Sequence, residues 1–330
     1  MTWKMPAEWV KHERTWLSFP ASEYATPAEE SYAAWSAVAN AASEYEPVIV
    51  LVDPKQEAIA KKYLSSEITQ MVCELDDSWL RDNGATFVVN TESGKLGAID
   101  WRFNGWGALE FDDYQKDDLV AAFMAEHAKA EVIRSELTNE GGGIHVNGSG
   151  LLLVTETVQL GVERNPDWTR AEVEQELKDR LGVNEVAWIR RGLTRDYEQY
   201  GTKGHIDIVA CFADEKTILM HDQQDQNHPD YSVSHEVAAR LSELKDINLI
   251  KVPAPQIRKD SHGFVDYSYI NHYILNGAVL LCAFDDPNDQ VAKGILEDAY
   301  PWREIRLIDA RPIFARGGGI HCITQQQPAI

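Results

Sequence analysis

Short apolar runs rich in β-branched residues alternate along the chain with stretches whose apolar positions recur at helical spacing. After a helix over residues 28–44, the run Pro47-Val-Ile-Val-Leu-Val-Asp53 reads as a buried strand. A helix near 55–64 and a strand near 68–74 follow. The pattern then predicts strands at 85–89 and 96–101, a helix at 117–130 and a strand at 131–136. It continues as strand 151–155, helix 170–181 and strand 185–189, and again as strands 206–212 and 217–221, helix 233–244 and strand 247–252. The last copy is strands 269–275 and 278–284, helix 288–299 and strand 304–308. Five helices thus lead directly into strands that begin near residues 48, 131, 185, 247 and 304. Such alternation predicts an α/β fold, most often a doubly wound sheet or a barrel. The spacing of roughly 55 to 85 residues exceeds a plain βαβ unit of about 30, leaving room for an extra strand in each copy. One stretch stands outside the pattern: residues 6–20 carry Trp9, His12, Trp16 and Phe19 and read as a docked aromatic segment.

Polar residues and glycines collect after these strands. Asp76, Asp77, Trp79, Arg81 and Asp82 follow the first, and Asn139, Glu140, Gly141, Gly142 and Gly143 the second. Arg195, Asp196, Gly204, His205 and Asp207 follow the third, and Asp260, His262, Asp266 and Asn271 the fourth. The fifth leads to Arg316-Gly-Gly-Gly-Ile-His-Cys-Ile-Thr324. If the five units ring one axis, these loops meet on it.

Composition narrows the function more than the fold. At 330 residues and 44% hydrophobic, the chain can bury a large core, and it is taken as a single catalytic domain over 1–330. A net charge of −22 disfavours nucleic acid or an acidic membrane surface and favours a cationic small substrate, although an acidic surface also serves solubility alone. No run approaches the apolar length of a membrane helix and the start lacks a signal pattern, so a cytoplasmic protein is expected. Cys73, Cys211, Cys282 and Cys322 show neither disulfide nor zinc spacing.

Cys322 sits behind three glycines, a plausible seat for a nucleophile, although a lone cysteine there is equally a small buried hydrophobe. A thiol nucleophile needs a proton-transfer partner. His205 is the first candidate, because Asp207 follows two positions later and would share its face in a strand. His321 is weaker, since in a strand it would point away from Cys322. Asp82, Glu140 and Asp207 come from three loops, and several carboxylates near one thiol would depress its reactivity unless the substrate is a cation. A guanidinium offers a planar fork of donors to carboxylates and an electrophilic carbon to a thiolate. A divalent metal on Asp82, Glu140, His205 and Asp207 is the second reading.

The motifs carry a resemblance that runs nearly end to end. Met5-Pro-Ala-Glu-Trp9 with His12, Asp76-Asp-Ser-Trp-Leu-Arg-Asp-Asn-Gly84, Asp100-Trp-Arg-Phe-Asn-Gly-Trp-Gly107, Glu140-Gly-Gly142, Arg164-Asn-Pro166, Gly204-His-Ile-Asp207, Tyr269-Ile-Asn271 and Gly317-Gly-Gly-Ile-His-Cys-Ile-Thr324 resemble the agmatine deiminase family. That family is close to the bacterial, porphyromonad-type peptidylarginine deiminases of the pentein superfamily. The resemblance implies a five-bladed α/β propeller with an axial active site. It implies Cys322 as the nucleophile that forms a covalent thiouronium and His205 as general acid and base. Asp82, Glu140 and Asp207 would bind the guanidinium or orient the histidine, and Trp79, Trp106, Asn271 and Gly319 would line the substrate. It implies no metal or organic cofactor, and by family analogy a homodimer or larger. The expected reaction is agmatine plus water to N-carbamoylputrescine and ammonia. Free, peptidyl or modified arginine as substrate, amidinotransfer, and a non-catalytic cation-binding homologue are the alternatives. The chain departs from the family at Asn147, Lys203, Ile208 and Leu281-Cys282, and a lysine near the site would disfavour the amine end of agmatine.

Overall fold

A computed structural model describes residues 2–21, 28–107, 113–198 and 201–330. Each of the five predicted helices joins two strands that pair in parallel. Ala28–Ser43 links His12–Ser18 to Val48–Val52, and Val120–Ala128 links Leu96–Arg102 to Glu131–Thr138. Arg170–Leu181 links Leu151–Thr155 to Glu185–Ile189, and Asp230–Leu241 links Thr217–Asp222 to Asn248–Pro253. Asn288–Ala299 links Ala278–Ala283 to Glu304–Asp309. Every parallel pair gains an antiparallel strand on its other side, filling the room the spacing left. Among the described residues this makes five sheets and one detached hairpin, Lys259–Asp260 with Gly263–Phe264.

The helix Arg170–Leu181 shows why these elements form where they do. Thr169 accepts from the Glu172 backbone while the Glu172 carboxylate takes the Thr169 N–H, and Gly182 ends the helix in the left-handed region at φ 66°. Val173, Leu177 and Leu181 recur at four-residue spacing and are fully buried. The run Val48–Val52 is buried at every position, as the centre of a sheet covered on both faces requires. Among the described residues no helix is long and apolar enough to cross a membrane.

Four expectations are corrected, each near the site. The aromatic start is the strand His12–Ser18, paired antiparallel with Thr324–Pro328. Its Trp16 is fully buried and donates to Gln327 Oε1 at 3.0 Å. The strand over 206–212 is a 3₁₀ turn, Ile206–Ile208, followed by Ala210–Phe212. Of 269–275, Tyr273–Ile274 alone pairs as strand. Around Cys322 the backbone makes a 3₁₀ turn, His321–Ile323, before the last strand begins. In the last three cases the backbone turns out of regular pairing where the site's side chains are placed.

Candidate active site

The thiol of Cys322 is held by its own turn. Gly317 carries a φ of 113°, reachable at low cost by glycine. A Cβ on Gly318 would stand 2.7 Å from the Trp79 ring and 3.0 Å from Cys322 Sγ, and one on Gly319 would run into Asn271 Oδ1. The glycines therefore make room for close packing. Asn271 Oδ1 accepts the backbone N–H groups of His321 at 2.9 Å and Cys322 at 3.4 Å. Its Nδ2 donates to Cys322 Sγ at 3.2 Å and to the Asp207 carbonyl at 3.3 Å.

Asp207 faces this turn. Its Oδ2 lies 3.4 Å from Cys322 Sγ and 2.9 Å from His321 Nδ1, while Oδ1 is buried with no partner. Burial and the carboxylates of Asp207 and Asp82 push the Cys322 thiol well above its ordinary pKa, against smaller help from the Gly319 N–H and Asn271. A lone buried thiol would be inert here.

The second group surrounds His205. Its Nε2 is 3.2 Å from Glu140 Oε2 and its Nδ1 3.7 Å from Asp82 Oδ1, so its nitrogens face those carboxylates and not the sulfur. Glu140 is chelated by Arg164 Nε at 2.8 and 3.1 Å, and Arg164 Nη2 donates to the Thr202 carbonyl at 2.7 Å. Asp82 accepts from Trp106 Nε1 at 2.9 Å and the Gly142 N–H at 3.0 Å. A Cβ on Gly142 would stand 2.5 Å from His205 Nδ1 and 2.8 Å from Asp82 Oδ1, which is why glycine is needed there. Burial works against a charged His205, but Asp82 and the Glu140 hydrogen bond overcome it and raise its pKa to about 9. Burial lifts Asp82 to about 6, with His205 pulling it back down. Burial also opposes Glu140, yet Arg164 and His205 hold it below the ordinary range.

Cys322, His205, Asp207, Glu140, Asp82 and Asn271 therefore gather around one buried centre, with Trp106 on Asp82, and Trp79 and Gly319 packed against the cysteine turn. The expected pairing of His205 with Asp207 is corrected: the 3₁₀ turn sends their side chains apart, His205 to Glu140 and Asp207 to His321. His321 is likewise corrected from a residue turned away to one bonded on both ring nitrogens. Sequence reading gave no role to Glu8, Arg164 or Asp196, although the first two stood in quoted motifs. Asp196 accepts from Thr202 N and Oγ1, Gly204 N and His205 N at 2.6 to 3.1 Å, fixing the loop that presents His205.

Among the described residues, Cys282 alone of the departures is bonded through its side chain to a residue of this centre. Lys203 Nζ lies 3.4 Å from the Glu198 carbonyl, and Asn147 stabilises a turn through the Ser149 and Leu151 N–H groups. Ile208 and Leu281 are core residues, and Cys282 Sγ donates to the Asn271 carbonyl at 3.1 Å. Of the four alternative metal ligands, Glu140 is taken up by Arg164 and Asp207 by His321. Among the described residues the group close enough to surround an ion is Glu8, His145 and His321.

Five sheets, each built on a helix-linked parallel pair, together with a buried cysteine, two imidazoles and a set of carboxylates, mark a protein of the pentein fold. The chain belongs to the Porphyromonas-type peptidyl-arginine deiminase family, whose profile matches residues 4–328. A Streptomyces coelicolor protein, provisionally named an agmatine deiminase, is 48% identical over 99% of each chain. The agmatine deiminase of Stutzerimonas stutzeri is 35% identical over 98% of this chain and 95% of its own. The agmatine deiminase of Enterococcus faecalis, solved catalysing its reaction, superposes with a TM-score of 0.93 at 30% identity, covering 99% of this chain and 96% of that one.

Proposed function

We propose that the protein is a guanidino-group hydrolase that converts agmatine and water to N-carbamoylputrescine and ammonia. The observation that carries this reading is the buried Cys322 thiol against Asp207, whose Oδ2 lies 3.4 Å from the sulfur and whose Oδ1 has no partner, in a chain with full-length similarity to agmatine deiminases. A planar cation is what an empty carboxylate oxygen beside a suppressed thiol calls for. Its entry replaces the burial and repulsion that hold the proton on sulfur with an attraction for thiolate.

The thiol gives up its proton to solvent as the cation binds, and the thiolate attacks the guanidinium carbon, forming a C–S bond as the C=N π bond opens; sulfur recovers a proton from the product hydroxyl at the end of the cycle. His205, protonated, gives its proton to the departing nitrogen as the C–N bond breaks, and ammonia leaves a thiouronium on Cys322. Neutral His205 takes a proton from water, whose oxygen attacks the same carbon; the C–S bond breaks and the ureido product leaves. In this reading Asp82 and Asp207 grip the guanidinium, Glu140 keeps His205 oriented, and Asn271 holds the sulfur in place. Trp79, Trp106 and Gly319 shape the space around them.

Free or peptidyl arginine is the second reading, favoured by the family's description. The reason for it in the chain, a lysine beside the site, is weakened by Lys203 reaching back to Glu198. Cys322→Ala and Cys322→Ser should form no ureido product from agmatine in a colorimetric assay. Turnover near wild type in either variant rules Cys322 out as nucleophile, and a tenfold preference for arginine overturns the choice of agmatine.

A further inference from the structure

We propose that Glu8 and His321 are positioning residues of this reaction, a buried imidazolium clamped between two carboxylates that fixes Asp207 ionised and in one orientation. His321 Nδ1 meets Asp207 Oδ2 at 2.9 Å and its Nε2 meets Glu8 Oε1 at 2.9 Å. An ionised carboxylate is an acceptor alone, so with Glu8 and Asp207 both held in their charged forms the two contacts take a proton from each ring nitrogen. All three side chains are at most 4% exposed. The small cavity against them, bounded also by His145, Cys211 and His272, is too tight to hold a water molecule.

The surrounding charges agree. Arg81 Nη1 lies 3.4 Å from Glu8 Oε1, and Arg81 Nε donates to the His321 carbonyl at 3.3 Å. Burial and Arg81 work against a charged His321, but Glu8 and Asp207 outweigh them and hold its pKa above the ordinary value. Burial opposes a charged Glu8, and His321 and Arg81 together keep it well below the ordinary range. His145 and His272 are neutral neighbours, each lowered to about 4 by burial.

The arrangement is not a metal site. His145 Nδ1 accepts the Phe212 N–H at 3.3 Å, so its proton sits on Nε2, the atom that faces Glu8 at 3.8 Å. An Nε2–H cannot ligate, both nitrogens of His321 are already donors, and Arg81 would repel a cation.

The consequence lies at Asp207. With Oδ2 held by His321, Oδ1 is the oxygen left for substrate. Glu8 comes from the segment before the first long strand, so the clamp also ties that segment to the cysteine turn.

The proposal rests on the reading of Cys322 as nucleophile, and its test separates the two. Glu8→Gln keeps an oxygen for His321 Nε2 but removes the charge that holds the ring protonated. His321 should then discharge at lower pH, so that function is retained in acid and lost as pH rises through the lowered pKa. The variant should match wild-type kcat/KM near pH 6 and fall at least about tenfold below it near pH 8, a pKa unit being a factor of ten. Alkylation of Cys322 by 2-chloroacetamidine should show the same divergence without any turnover, so a wrong choice of agmatine leaves this arm intact. In wild-type protein labelled with ¹⁵N-histidine, both His321 nitrogens should be protonated near pH 8. A Glu8→Gln profile parallel to wild type, a singly protonated His321 in the wild type, or stoichiometric zinc whose removal abolishes alkylation would each overturn the proposal. If Glu8→Gln does not fold, the wild-type resonances decide.

Discussion

At the scale of single residues, burial and neighbouring carboxylates together hold both reacting groups in their protonated forms. The thiol is kept protonated and His205 is kept as imidazolium, because each sits among buried carboxylates. The same carboxylates thus suppress the nucleophile until a cation arrives and load the acid that must protonate the leaving nitrogen. The pH dependence follows from Asp82 and His205, the two groups of the centre whose raised values bracket neutral pH. Asp82, raised to about 6, must be ionised to hold a guanidinium, so kcat/KM should fall as pH drops through that value. His205, raised to about 9, must be protonated to expel ammonia, so the rate should fall again as pH climbs past that value. The limbs belong to the coupled set and not to isolated residues. A plateau between about pH 6.5 and 8.5 is the expected result of initial-rate measurements, with slopes on both sides. A rate that keeps rising through about pH 9 would mean instead that His205 acts in its neutral form throughout.

At the scale of elements, regular parts of the chain were legible and irregular ones carried the site. The helices 170–181 and 288–299 and the strand 185–189 lie where apolar spacing placed them, because their burial is one-sided or complete and repeats with the period of the element. The segments 205–209, 269–272 and 320–323 defeated the same reasoning. Their apolar residues are as buried as a strand's, but the backbone turns so that His205, Asp207, Asn271 and Cys322 reach one centre. Periodicity reports which side chains are buried and not which partners they meet, so the identities of the site residues were readable and their pairing was not. Asp196 shows the cost of such turns. Four donors from Thr202, Gly204 and His205 converge on its carboxylate, and an amide in its place would turn an NH₂ toward N–H groups. Asp196→Asn should lose about 1–3 kcal/mol of stability. It should also cut kcat at least tenfold while leaving chloroacetamidine labelling of Cys322 near wild type, since the displaced element is the one carrying His205. Equal losses in labelling and turnover would place the damage in the whole centre instead.

At the scale of the whole molecule, the first sheet is assembled from both ends of the sequence. The strand Thr324–Pro328 lies antiparallel on His12–Ser18, whose other edge begins the parallel pairing with Val48–Val52. Closing a sheet this way leaves the pairing edge of His12–Ser18 covered and places Cys322 two residues before the closing strand. All three residues of the Gln325-Gln326-Gln327 run are buried, and two of them meet interior partners: Gln325 Nε2 donates to the Ala85 carbonyl at 2.9 Å, and Gln327 Oε1 accepts from Trp16 at 3.0 Å. Gln327→Leu would leave the fully buried Trp16 N–H without its acceptor, a loss of about 1–3 kcal/mol. If closure is part of the cooperative fold, the variant should lower the denaturant midpoint of tryptophan fluorescence and of activity together, with an unchanged slope. Activity lost at lower denaturant than fluorescence would show instead that the closing strand and its cysteine detach before the rest of the chain unfolds.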